Sequence, residues 1–169
     1  MLIKLFTALV ALVALIAVLA LGLLVAGQLG ALQGTAPTDL GVTAGRLKAP
    51  AATPNSVSSQ AGLHAGHPLA SAAKIAPLAL RGGDAAATLA RLRSLIAATP
   101  GAQLVTQQSD YLYARFSTRW LGFVDDAEFW ADPVAGVIQV RSASRIGRKD
   151  FGANRARIEA LRAALAAAP

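Results

Sequence analysis

The residues QLVTQQSDYLYARFSTRWLGFVDDAEFWADPVAGVIQVRSASR, Gln103 to Arg145, decide how this chain is built. Their apolar positions recur with a period of two, which puts successive side chains on opposite faces of a strand. Four strands are predicted: Leu104–Gln108, Tyr111–Ser117, Phe123–Trp130 and Val137–Arg145. The breaks fall at Ser109-Asp110, at Thr118 to Gly122 and at Asp132-Pro133-Val134-Ala135-Gly136, the last a strong hairpin signal.

On both sides of this stretch the period changes to that of a helix. Upstream, Ile75–Leu80 reads as a short first strand and Asp84 as a helix N-cap. Leu89, Leu92, Leu95 and Ile96 then recur at helical spacing until Pro100-Gly101 stops them. Downstream, Ile158, Leu161 and Leu165 share one face of a helix, opposite Arg155, Arg157 and Arg162. The order strand, helix, four antiparallel strands, helix predicts an α+β domain. Its antiparallel sheet has four to five strands, with two helices packed on one face.

Leu5 to Ala26 carries no charge. At about 1.5 Å per residue it spans roughly 33 Å, slightly more than a hydrocarbon core of about 30 Å. It reads as an uncleaved signal anchor, since a cleaved signal peptide has a shorter apolar region and a small-x-small site, and Val25-Ala26-Gly27 is a weak one. Lys4 precedes the span and the next basic residue after it is Arg46, which predicts a cytoplasmic N-terminus and a periplasmic or otherwise extracytoplasmic domain. The expected organisation is a transmembrane anchor at 1–27, a Pro/Gly/Ala-rich linker at 28–74 that holds the rest away from the bilayer, and the α+β domain at 75–169.

The 169 residues allow one domain with an accessory segment. A net charge of +7 and a pI near 10.8 suit nucleic acid or an anionic membrane. Among the basic residues from Arg141 to Arg162 Phe151 is the one aromatic, too few for a run of base stacking, and they lie outside the cytoplasm in this reading, so anionic lipid is expected and nucleic acid is not. With no cysteine there is no disulfide, thiolate site or thiol nucleophile. The one acid in the linker, Asp39, is remote in sequence from His64 and His67, so no nearby acid completes a metal site, and no phosphate-binding glycine motif points to a cofactor. The serines of Pro54–Gln60 stand in no nucleophile motif and read as a turn.

Hydrophobic matching pairs Phe129 with Ile138 and Ala127 with Val140. Asp126 then faces Arg141 as a solvated ion pair, while Asp125, Ser142 and Ser144 share the side of Phe123, Phe129, Ile138 and Val140. A carboxylate on that side needs a partner. Beyond Ser144 the chain runs through Arg145 and Gly147 into a helix starting near Asn154-Arg155. Hydroxyls, guanidinium groups and free helix-terminal amides suit an anion. Asp125, Ser142, Ser144, Arg145, Asn154 and Arg155 are therefore the candidate site, for a small anion or a lipid head group. The competing arrangement is structural: Arg145 and Arg155 pair with Asp125, Glu128 or Asp150, and Asp150 or Asn154 caps the helix. An enzyme alternative is a hydrolase in which Asp125 acts as base for Ser142 or Ser144. It requires a carboxylate oxygen within about 3.2 Å of a serine hydroxyl, or linked to it through one water.

Pro54-Asn55-Ser56-Val57-Ser58-Ser59, Ile75-Ala76-Pro77-Leu78, Gly122-Phe123-Val124-Asp125-Asp126 with Glu128-Phe129, and Val140-Arg141-Ser142-Ala143-Ser144-Arg145 occur in that order. Gly147, Asp150, Gly152, Asn154, Arg155 and Arg157 follow. Together they resemble the DUF1499 family from near Gly45 to Leu165. The resemblance implies an exported or membrane-anchored protein and brings no assigned activity. Ser56 stands where many relatives carry cysteine, so a thiol role there cannot apply. The Gly62–Lys74 link is longer and richer in alanine than in relatives.

Overall fold

The computed structural model describes residues 1–167. Helix α1, Leu2–Gln28, is followed by a stretch with little regular structure that includes strand β1, Ser56–Ser58, and the one-turn helix α2, Ala70–Ala73. Strand β2, Leu78–Ala79, leads to helix α3, Ala85–Ala97. Strands β3 (Ala102–Gln107), β4 (Tyr111–Ser117), β5 (Val124–Asp132) and β6 (Val137–Ser144) come next, and helix α4, Ala153–Ala167, closes the described chain. The sheet runs β1-β6-β5-β4-β3, with β2 also paired to β6, and every pairing is antiparallel. The α+β architecture stands as the alternation required. The expected first strand is interrupted at Pro77, which has no N–H to give: Leu78 and Ala79 pair with β6, while the Ile75 amide donates to the Ser58 carbonyl at 3.3 Å.

Alternation divides the sheet into two faces. Leu112, Ala114, Phe116, Ala127, Phe129, Ile138 and Val140 meet Leu89, Leu92 and Ile96 of α3 and Ile158, Leu161 and Leu165 of α4 in one buried core. Each such fully buried leucine, isoleucine or phenylalanine contributes about 1.5–3 kcal/mol. Asp84 caps α3 as its position implied, its carboxylate accepting from the Ala87 amide at 2.9 Å.

The β5–β6 register differs from the expectation by two residues. Phe129 pairs with Val140 and Ala127 with Ser142, so Glu128, not Asp126, stands opposite Arg141. The expected register would have closed the hairpin on Pro133 and Val134 alone. A two-residue turn needs positive φ at its centre, which proline and a β-branched valine oppose. The turn is longer instead: Gly136 takes φ +63, and the Asp132 carboxylate accepts from the Val134 and Ala135 amides at 3.0 Å. A slip of two leaves every side chain on its expected face.

The second face is covered, which hydrophobic pattern did not foretell. The chain upstream of β1, expected to be a linker, crosses it. Leu47 packs on Tyr111 and Trp130. The Gly41 amide reaches Glu128 at 2.8 Å, and Arg141 donates to the Ala49 carbonyl at 3.1 Å. Asp126 and Arg141 are consequently buried rather than solvated.

α1 is long and apolar enough to cross a membrane, and none of its apolar window is buried. Only its last turn touches the rest of the protein. Gly27 lies so close to the Leu121 carbonyl that a Cβ would collide with it. The Gln28 side chain donates to the carbonyls of Arg119 and Trp120 at 3.0 and 2.7 Å. No spacer separates α1 from the sheet. The loop between β4 and β5 receives it directly.

Candidate functional site

At the end of the sheet near α1, strands β5 and β6 place Asp125, Ser142 and Ser144 on the helix-covered face. Asn154, in the first turn of α4, is fully buried above them. Its Oδ1 accepts from Ser142 Oγ at 2.5 Å and from Arg157 Nη1 at 2.8 Å. Its Nδ2 lies 3.0 Å from the Asn55 carbonyl, from Ser144 Oγ and from the Asp150 carboxylate. One amide thus ties the edge strand, β6 and the β6–α4 loop together. Asp150 also accepts from the Gly152 and Asn154 amides, at 3.2 and 2.9 Å. Partial burial acts to raise its pKa, but those backbone bonds outweigh it and hold the carboxyl below its ordinary value.

The partner Asp125 needed is Arg157, at 2.6 Å. Arg157 also donates to Ser142 Oγ at 3.1 Å, and its guanidinium lies 4.5 Å above the Phe116 ring. Asp125 is therefore bonded to an arginine, and Ser142 to Asn154 and Arg157, rather than to each other as a base and nucleophile would be.

Four of the six residues in the candidate site come together: Asp125, Ser142, Ser144 and Asn154. The other two lie elsewhere. Arg145 points to the opposite face, where it meets Asp126 through two bonds of 2.8 Å and touches Tyr113. Arg155 turns outward and donates to the carbonyls of Ala72 and Lys74. Arg157 and Asp150 replace them. The signal for Arg157 was its spacing three residues beyond Asn154, one helical turn on, which puts it on the flank of the face carrying Ile158.

The opposite face holds a second network. Glu128, fully buried, accepts from Tyr111 and the Gly41 amide at 2.8 Å and faces Arg141 at 3.5 Å. Burial raises the Glu128 pKa, against the pull of the Gly41 amide, Arg141 and Tyr111, and lowers that of Arg141. Tyr113 is pushed up to about 12 by burial and by its bond to Asp126, and Tyr111 is raised further. The Asp126 hydrogen bond raises Arg145. Every cation in this network has a carboxylate.

Beside Arg157 the surface opens into a groove of about 550 Å³ between α3, α4 and the end of β4. Leu95, Phe116, Leu161, the exposed Ala156 and Ala160 and the half-buried Ala164 line it, together with Arg157 and the hydroxyl residues Thr99, Ser117 and Thr118. A guanidinium has five N–H groups. Three meet Asp125, Ser142 and Asn154, leaving Nε and one Nη2 hydrogen without a protein partner among the described residues. Thr118, which lines the groove, is the first residue of the loop that receives α1. Among the described residues no trio of His, Asp and Glu could hold a metal ion.

A family model described as Protein of unknown function (DUF1499) matches residues 46–165. No curated protein and no solved structure matches the chain.

Proposed function

The chain belongs to the DUF1499 family, whose description assigns no reaction, and we propose from the geometry that it is an envelope-anchored binding module for an amphiphilic anion. α1 is its single membrane span. The N-terminus with Lys4 lies in the cytoplasm and the rest outside, because no basic residue follows the span before Arg46.

One observation carries the ligand class: a guanidinium with free N–H groups lines a mainly apolar groove whose other polar groups are the uncharged Thr99, Ser117 and Thr118. A fully polar ligand would leave Leu95, Phe116 and Leu161 uncovered. A fully apolar one would bury donors without acceptors, at a cost of about 1–3 kcal/mol. An acyl chain ending in a carboxylate or phosphate satisfies both, and the groove has the size of ordinary small-molecule sites. Its lining reaches Thr118, at the start of the loop that receives α1, which supports delivery from the bilayer.

The test is alanine-methyl NMR on the full chain in nanodiscs, titrated with octanoate and, separately, with octyltrimethylammonium. Saturable shifts at Ala156 and Ala160 with octanoate alone are expected. Ala160→Phe, which fills the groove at an exposed position, should abolish them. Equal shifts with the cationic amphiphile, or no saturation, would refute the proposal.

A further inference from the structure

The sheet end that receives α1 also carries a surface the groove does not use. β4 ends at Ser117, β5 begins at Val124 and β6 ends at Ser144, so the loops 118–123 and 145–152 both leave this end. Trp120 projects from the first, 65% exposed, and Phe151 from the second, 97% exposed. Phe151 sits at φ +52, a region bulky residues seldom occupy, and its ring stays outside the fold. Arg119, Arg148 and Lys149 are exposed beside them, and none is in an ion pair among the described residues. Asp150 offsets one of these three charges and leaves the surface net positive, its oxygens accepting from the Gly152 and Asn154 amides and the Asn154 side chain. At the other end of the sheet the turns carry Asp84, Asp110 and Asp132.

We propose that this end lies flat on an anionic bilayer surface, with Trp120 and Phe151 in the interfacial layer and Arg119, Arg148 and Lys149 on lipid phosphates. The proposal rests on α1 being a membrane anchor. Trp120 borders a surface hollow with Leu24, Val25 and Leu29, at the last turn of the span, the depth where interfacial tryptophans collect. The Arg119 guanidinium lies 5.0 Å over its ring, so charge and aromatic surface meet the same layer. Each basic residue near an anionic leaflet shifts the docked-to-undocked ratio by roughly fivefold, an attraction that salt screens.

Trp120 would sit near lipid through the anchor alone, so the probe belongs at Phe151. Two full-length variants in a Trp120→Phe background are compared, one with Phe151→Trp and one with Val134→Trp, at a far-end residue that is 95% exposed. Each is placed in nanodiscs of phosphatidylcholine, with or without phosphatidylglycerol, containing lipids with a nitroxide near the head group. Co-elution with the discs is scored first. A chain that fails to enter them refutes the anchor and this surface together. For chains that enter, quenching at 151 several-fold above that at 134 is expected in anionic discs, falling when Arg148 and Lys149 are both changed to Gln. Equal quenching at the two positions, or quenching at 151 indifferent to phosphatidylglycerol, overturns the docked surface and leaves the anchor standing.

Discussion

Asn154→Asp keeps the shape of the most connected side chain in the polar cluster and replaces its donor with a charged oxygen. The two amide hydrogens serve the Asn55 carbonyl, Ser144 Oγ and the Asp150 carboxylate, each at 3.0 Å. Losing them costs about 1 kcal/mol for a neutral bond and about 1.5–3 for one to a carboxylate, about 3 kcal/mol together. The introduced carboxylate also stands against Asp150, a repulsion that Arg157, 2.8 Å from Oδ1, offsets in part. A net loss of about 3–4 kcal/mol is expected, a large share of a typical domain stability of about 5–15 kcal/mol. Urea unfolding of the full chain in mild detergent, followed through the buried Trp130, measures it. The neighbouring charge raises the folded pKa of the new group. The contribution of that shift is therefore full at low pH and lost as pH rises through the raised value, so the deficit widens with pH. Exchanging the pair, Asp150→Asn with Asn154→Asp, restores a donor facing an acceptor and should recover at least about 1.5 kcal/mol of the loss. A single substitution costing under about 1 kcal/mol, with no recovery in the exchange, would refute the reading of this cluster as the brace between α4 and the sheet.

On the other face, Arg141→Met leaves buried Glu128 without its cation and should cost about 3–5 kcal/mol in urea midpoint experiments. Because burial raises the Glu128 pKa, the native chain holds that contribution below the ordinary glutamate value of about 4.3 and loses it as pH rises to the folded value. Glu128→Gln should accordingly gain on the native chain as pH rises, and a constant difference would contradict the raised value. With Tyr113 pushed up to about 12 and Tyr111 higher, alkaline absorbance titration should show no phenolate while the protein is folded at the ordinary tyrosine value of about 10. Tyr113→Phe should remove the earlier of the two steps. Gly27→Leu drives a side chain into the Leu121 carbonyl and should speed amide exchange at 119–122 while leaving the urea midpoint unchanged. Unaltered exchange there would mean that α1 does not dock on this loop.

The layered α+β plan was legible because alternation between Gln103 and Arg145 is sustained, despite an irregularity between Leu104 and Thr106, and Asp84, Pro100 and Gly101 punctuate it. Face assignment survived a register error for the same reason: turn chemistry at Pro133-Val134 moved the pairing by two, and parity is blind to two. The candidate site was legible where it depended on parity, as with Asp125, Ser142 and Ser144, and lost where it depended on direction. Arg145 follows Ser144 in the chain and so falls on the opposite face, beside Asp126. Arg155 and Arg157 are separated by two positions on a helix, roughly 200° of rotation at 3.6 residues per turn, and only the latter turns inward. The cover on the second face was hidden because Leu47 anchors it to the aromatic residues, and Leu40, Val42 and Leu47 scattered among Gly, Ala, Thr and Pro give no period to read. The groove arises from α3 and α4 diverging beside β4, a matter of packing rather than of local pattern.

An anionic lipid with a photoreactive acyl chain, reconstituted with the full chain in nanodiscs and mapped by mass spectrometry, tests groove binding most directly. The geometry predicts crosslinks at Leu95, Phe116, Ala156 and Ala160 that disappear in Ala160→Phe. Crosslinks confined to α1 and the loops beside it would contradict the groove as the binding site.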